Sequence, residues 1–211
     1  MTLVLLIRHG ENDYVKKNRL AGHLSGIHLN EKGRSQAQTL ADRLARAPVK
    51  AVYSSPLERT METAQPIAKA LGLEVISRPG LIETNIGKWQ GKRLKLLSLG
   101  KQWKVLQSTP SLLRFPGGES VAETQYRISN EIDSLRRQHG PRDLIICVSH
   151  ADPIKLVVAY FLGLPLDFFQ RLSIAPASIT AMYISDSASR LLTLNYNIGQ
   201  SLLGDFPQFR R

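Results

Sequence analysis

Residues 3–13 read LVLLIRHGEND: five apolar residues, then Arg8, His9 and Gly10 in immediate succession. The apolar run is core-building material and reads as a strand near residues 2–7. An arginine and a histidine at its end make a poor core, so their place calls for a different reason. The same event recurs along the chain. Arg59 lies just beyond AVYSS (51–55), His150 follows LIICVS (144–149), and Glu83 lies slightly farther beyond LEVIS (73–77). In an open parallel sheet, ligands bind outside the carboxyl ends of the strands, where loops from separate parts of the chain converge. Arg8, His9, Arg59, Glu83 and His150 are therefore expected to share one cleft.

The surrounding pattern supports such a sheet. Apolar, β-branched runs near 2–7, 51–54, 73–77, 144–149, 179–184 and 191–195 alternate with amphipathic stretches. Ala37, Leu40, Ala41 and Leu44 recur at helical spacing behind Asn30, which is placed to cap the first turn. A second helix is expected after SSP, with Ser55 as its cap, Pro56 in its first turn and Pro66 bending it. A third spans about Glu119 to Gln138, and a fourth begins at Asp152 and Pro153, with Asp152 as its cap, and ends before Gly163. The predicted fold is α/β, a three-layer sandwich whose mostly parallel central sheet of about six strands is flanked by helices. Residues 1–211 are expected to form a single domain, with 88–118 as a lid or insertion.

Composition narrows the function classes. The longest apolar runs fall well short of the roughly 18 residues that a membrane span needs. No basic segment precedes the first apolar run and no small-residue cleavage site follows it, so a cytoplasmic location is expected. The single cysteine, Cys147, sits inside an apolar stretch and reads as a buried structural thiol. Lys and Arg number 28 against 17 Asp and Glu, a formal net charge of +11, which implies an anionic ligand. The basic residues are scattered, from Lys16, Lys17 and Arg19 through Lys92, Arg93 and Lys95 to Arg210 and Arg211, and no run reaches five. The expected partner is thus a small phosphorylated molecule rather than nucleic acid or a membrane, and the possibility of a homodimer stays open.

Two arginines and two histidines in one place suit an anion, because guanidinium groups hold phosphate oxygens through paired, charge-assisted hydrogen bonds. The helix after Pro56 would add N–H groups near the same anion. These residues resemble the histidine phosphatases, also called the phosphoglycerate mutase-like superfamily. The resemblance rests on LIRHGEND (6–13), on SSPLERTMETA (54–64), on IETNIGKWQGK (82–92) and on VSHADPIK (148–155), in the family's order, with PGGES (116–120) and Arg127 matching the phosphatase-type branch. It implies a phosphoglycerate mutase-like fold, a nucleophile at His9, phosphate-binding roles for Arg8, Arg59 and His150, and a proton donor at Glu83.

The chemistry also follows from the residue types. A neutral imidazole is nucleophilic through one nitrogen when the other holds the proton, and it can carry a phosphoryl group as a covalent intermediate. Charge building on the equatorial oxygens could be met by Arg8, Arg59 and a protonated His150, with no metal or other cofactor required. A carboxyl opposite the attack could protonate the leaving alkoxide, and Glu83 is the candidate, with Glu62, Glu74 and Glu119 as competitors. A lone histidine after a strand is ordinarily structural, so the conjunction of Arg8, His9, Arg59 and His150 carries the assignment. Asp152 reads better as a cap than as a ligand, and His23, His28 and His139 read as substrate contacts or as nothing specific. Trp89 and Trp103 read as packing.

Three positions depart from the family pattern: Val15 where asparagine is common, Asn12 where serine or threonine is, and Ala151 where glycine is. Asn12 is expected to replace the lost phosphate contact as a donor. Family members that move phosphate within phosphoglycerate carry a longer insertion with a histidine and a tyrosine soon after the acidic glutamate. Here Thr84, Asn85 and Ile86 follow Glu83. The expected activity is a metal-independent phosphomonoesterase of small phosphorylated metabolites, with a phosphoglycerate mutase-type phosphotransferase as the alternative. A metal-dependent hydrolase and a non-catalytic anion or nucleic-acid binder are rivals of a different class; close ligand pairs such as His-x-His are absent from the sequence.

Overall fold

The computed structural model describes residues 1–198, so Arg210 and Arg211 lie outside the described residues. The opening run forms β1 (Thr2–Arg8), and the chain continues through α1 (Asp13–Lys16), α2 (Glu31–Leu44), β2 (Val49–Ser54), α3 (Glu58–Leu71) and β3 (Val75–Ser77). Then follow α4 (Leu94–Leu97), α5 (Lys101–Ser108), α6 (Val121–Arg137), β4 (Leu144–Ser149), α7 (Ala151–Phe161), β5 (Ile179–Ile184) and β6 (Ser189–Tyr196). The six strands make one sheet in the order β3-β2-β4-β1-β5-β6. β1, β2, β3 and β4 run parallel, whereas β5 and β6 add antiparallel at the far edge.

Side-chain alternation along the central strands divides the core in two. Val4 and Leu6 of β1, with Ile145 and Cys147 of β4, pack with Ile128, Ile132 and Leu135 of α6 and Ile154, Leu156 and Val157 of α7. Leu5 and Ile7, with Ile146 and Val148, pack with Leu40 and Ala41 of α2 and Ala64, Ile67 and Ala68 of α3. β1 and β4 are thus apolar without alternation because both faces are covered. Each fully buried Ile or Leu contributes about 2 kcal/mol of hydrophobic stabilisation. This is the expected three-layer arrangement, and it aims the carboxyl ends of β1, β2 and β4 at one side.

Helix starts follow the sequence at some places and not at others. Asn30 caps α2 by accepting from the Gly33 N–H at 2.9 Å, and Ser120 with Glu123 forms a capping box at α6. Ser55 does not cap α3. That helix begins at Glu58 behind Leu57, which offers no side-chain cap; the Ser55 hydroxyl meets Nε2 of His150 at 2.9 Å and accepts from the Leu57 N–H at a longer 3.4 Å. Pro66 lies inside α3, which continues to Leu71 and closes on Gly72 in the left-handed region at φ 67°. Asp152 does not cap α7 either, since His150 holds that position and Asp152 falls in the first turn.

Residues 88–118, expected as a lid or insertion, contain two short helices. The extended Gly100 separates these helices, α4 and α5, and Gly91 at φ 76° precedes both. Trp89, Leu106, Leu113 and Phe115 of this segment are buried in the core, with Trp89 stacked on Trp103 at 6.0 Å between ring centres. The segment is therefore an extension of the α6–α7 layer.

Candidate active site

The ends of three parallel strands deliver the expected residues. β1 passes directly into Arg8 and His9, β4 into His150, and the turn after β2 places Arg59 in the first turn of α3. His9 is buried, and its backbone N–H bonds to the Ser149 carbonyl at 3.0 Å, which ties the β1 and β4 ends together. Its Nδ1 lies 2.7 Å from the Gly10 carbonyl oxygen. A carbonyl only accepts, so Nδ1 carries the proton and Nε2 keeps a free lone pair. Burial first, then the Arg59 and Arg8 charges, hold His9 well below the ordinary histidine value, which keeps it neutral.

Around it stand cationic donors with spare hydrogen-bonding capacity. Arg59 is 1% exposed, and its Nη2 donates to the Gly22 carbonyl at 2.8 Å and to Nδ1 of His150 at 3.3 Å. Its Nε and Nη1 have no partner among the described residues. Arg8 donates from Nη1 to the Ile174 carbonyl at 2.7 Å, and its buried Nε is likewise unpartnered. Leaving buried charged donors unmade is expensive, and the set has the capacity to bond an anion. Asn12 adds one more: its Oδ1 caps α1 by accepting from the Val15 N–H at 2.9 Å, and its buried Nδ2 is free to donate.

His150 is fully buried, with its ring 5.2 Å from that of His9. Because Nδ1 accepts from Arg59, the proton sits on Nε2, which donates to the Ser55 hydroxyl at 2.9 Å. The expectation of a protonated His150 needs correction for the free protein. Burial, followed by the charge of Arg59, pushes it well below the ordinary value.

Glu83 reaches the same place from the turn after β3, its Oε2 lying 3.8 Å from Nδ1 of His150. Burial and then the neighbouring Asp152 charge raise its pKa to about 7, against the pull of Arg59 and Arg8. Its backbone is held firmly. The carbonyl of Glu83 accepts from Nε2 of His23 at 2.6 Å and from Nη2 of Arg127 at 3.2 Å. Arg127 also donates to the carbonyls of Gly80 and Ile82 and to both oxygens of Glu119.

Arg8, His9, Asn12, Arg59 and Glu83 line one cavity of about 140 Å³, with His150 immediately behind its wall. Val15, Arg19, Thr84 and Asp152 line it as well. Asp152, set aside in the sequence as a cap, faces the cavity and pairs with Lys155 at 3.1 Å. No sequence signal singled out Thr84. The competing carboxylates lie elsewhere: Glu62 bonds His28 and the Leu29 N–H, and Glu119 is occupied by Arg127 and the Asn85 N–H. Residues 88–118 contribute nothing to the cavity lining. Among the described residues, no three His, Cys, Asp or Glu side chains are grouped as metal ligands. Cys147 is buried, its thiol pushed up by burial, and no described helix is long and apolar enough to cross a membrane.

Known proteins resemble the chain in sequence and in fold. The chain is 31% identical to phosphoserine phosphatase 1 of Hydrogenobacter thermophilus, over 92% of each chain. It is 34% identical to a probable phosphoglycerate mutase of Photorhabdus laumondii, over 85% of this chain and 84% of that one. Among solved structures, a phosphoserine phosphatase mutant of Entamoeba histolytica in complex with phosphoserine superposes with a TM-score of 0.84 at 27% identity, covering 92% of this chain and 97% of that one. A family profile described as the histidine phosphatase superfamily (branch 1) matches residues 4–197. From strand order to matched sequence, the chain belongs to the histidine phosphatase superfamily.

Proposed function

We propose that the protein is a phosphomonoesterase that works through a phosphohistidine on His9 and acts on a small phosphorylated metabolite. The observation that carries this reading is the 2.7 Å bond from Nδ1 of His9 to the Gly10 carbonyl, which leaves Nε2 as a nucleophile beside the unpartnered donors of Arg8 and Arg59. In the first step Nε2 attacks phosphorus, the P–O ester bond breaks, and the leaving oxygen takes the proton of Glu83. In the second, the Glu83 carboxylate takes a proton from water, the water oxygen bonds to phosphorus, and the P–N bond breaks to restore neutral His9. Arg8, Arg59 and Asn12 donate to the equatorial oxygens throughout. The phosphate's negative charge also favours proton uptake by His150, which the empty pocket disfavours. Basic charge in and around the cavity draws the anionic substrate in.

Resemblance to phosphoserine phosphatases makes phosphoserine a first substrate to try, and resemblance to phosphoglycerate mutases makes phosphoryl exchange the competing reading. One experiment separates them. Incubation with 3-phosphoglycerate and a bisphosphorylated primer should release inorganic phosphate, and isomer exchange without release overturns the phosphatase reading. His9→Ala should lower turnover of any good substrate by at least about a thousandfold.

A further inference from the structure

Next to the cavity, two distant segments meet as a short antiparallel pair. Arg19 and Arg93 are bridge partners, flanked by bonds from the Leu20 N–H to the Lys92 carbonyl at 3.0 Å and from the Leu94 N–H to the Asn18 carbonyl at 2.9 Å. That pattern is the non-hydrogen-bonded kind of pair, where the Cα atoms approach to about 4.5 Å and the side chains lie closest. Like charges placed directly opposite one another destabilise such a pair. Here both partners are arginines, both are exposed, and neither has a carboxylate partner among the described residues. Arg19 is held in place, since its Nε and Nη2 donate to the Gly91 carbonyl at 2.9 and 2.7 Å. It also lines the cavity together with Leu20.

The surroundings add charge of the same sign. From Thr84 to Gly118 the chain carries seven Lys and Arg and no Asp or Glu. Among the described residues, only Arg114 of those seven has a carboxylate partner, Glu123. Lys16 and Lys17 precede Arg19 in the other segment, and among the described residues only Lys17 of the two is paired, with Asp13 at 3.2 Å. A like-charge pair with no counterion among the described residues is suited to an external anion that completes it. Arg19 lines the cavity of about 140 Å³, so the Arg19–Arg93 pair adjoins the space where the part of a substrate beyond the scissile phosphoryl group would lie.

We propose that Arg19 and Arg93 form a second anion site at the cavity mouth, and that the preferred substrates carry a further phosphate group beyond the one that is hydrolysed. This rests on the reading of the cavity as a phosphomonoesterase site, and the test separates the two. Calorimetric titration with fructose 1,6-bisphosphate and fructose 6-phosphate, at fixed ionic strength and in the His9→Ala background so that both ligands stay intact, measures the preference for a second phosphate. The bisphosphate should bind about tenfold more tightly. Arg93→Ser should abolish that margin, whereas Lys50→Ser, which removes the same charge at the opposite end of β2, should keep it. Equal affinities for the two ligands, or a preference indifferent to Arg93, overturns the proposal. So does Arg93-dependent binding to phosphatidylserine vesicles with no bisphosphate preference, which would assign the pair, with exposed Leu96 and Leu99 nearby in sequence, to a lipid surface. Hydrolysis of p-nitrophenyl phosphate by the unaltered protein is measured separately, and its absence counts against the phosphatase reading alone.

Discussion

Arg59 donates from Nη2 to Nδ1 of His150 at 3.3 Å, so this imidazole keeps its only proton on Nε2, facing the Ser55 hydroxyl. His9 holds the opposite tautomer, its proton on Nδ1 toward Gly10. Two buried imidazoles 5.2 Å apart are thereby given different roles by their partners. Burial and Arg59 lower both below the ordinary value, so protons that an unfolded histidine takes up near pH 6.5 are refused by the folded chain. Their contribution to stability is present above about pH 6.5 and is lost as the pH falls below it. Nitrogen-15 imidazole spectra of the ligand-free protein should show two different neutral tautomers at pH 6.5. His28 should be charged there to a greater extent, because the bond to Glu62 raises it. A doubly protonated His150 at that pH contradicts the assignment.

Glu83 sets the alkaline limit. With its pKa at about 7, the carboxyl is protonated on the acid side of neutrality and can donate, and it loses that ability as the pH rises. The rate kcat/KM should fall above an apparent pKa of about 7. Glu83→Gln should cost roughly a hundredfold or more on alkyl phosphates, whose leaving oxygens need a proton, and much less on p-nitrophenyl phosphate. Equal losses on both substrates would mean that Glu83 does not act as the acid.

Asp152 is a second lever on the same group. Burial is the main reason that Glu83 is raised, and the Asp152 carboxylate is the next. Asp152→Asn removes that repulsion and leaves Lys155 positive nearby. The alkaline limb of the pH profile should therefore move to lower pH while staying above the ordinary carboxylate range, since burial remains. A profile unchanged or shifted upward in this variant refutes the coupling.

The sheet was legible because buried parallel strands have to be apolar on both faces, which is why Leu3–Ile7 and Leu144–Ser149 stand out without alternation. Arg8, His9, Arg59 and His150 were legible because each follows such a strand closely. Ser55 and Asp152 misled for one reason: a polar side chain before a helix looks like a cap even where its main partner is another side chain, His150 for Ser55 and Lys155 for Asp152. The break between α4 and α5 was not legible, because exposed lysines and leucines at helical spacing do not reveal where a glycine interrupts a helix. The Arg19–Arg93 pairing joins segments more than seventy residues apart, and local pattern carries no trace of it.

Arg127 tests whether Glu83 depends on its support. One guanidinium holds the carbonyls of Gly80, Ile82 and Glu83 and both oxygens of Glu119, which in turn accepts from the Asn85 N–H. The Arg127–Glu119 pair is about three-quarters buried, so removing one partner costs more than a surface ion pair does, and Arg127→Ala should lower stability by about 2–3 kcal/mol. Loss of stability alone would be merely structural. A positioning role predicts more: at temperatures where the variant stays folded, kcat on alkyl phosphates should fall further than kcat on p-nitrophenyl phosphate, because only the former needs the Glu83 proton delivered in place. Arg127→Lys should recover much of the stability through the Glu119 charge but little of the alkyl phosphate rate, since a single ammonium group cannot span three carbonyls and a carboxylate. If both substrates slow equally in Arg127→Ala, the guanidinium stabilises the turn without aiming the acid.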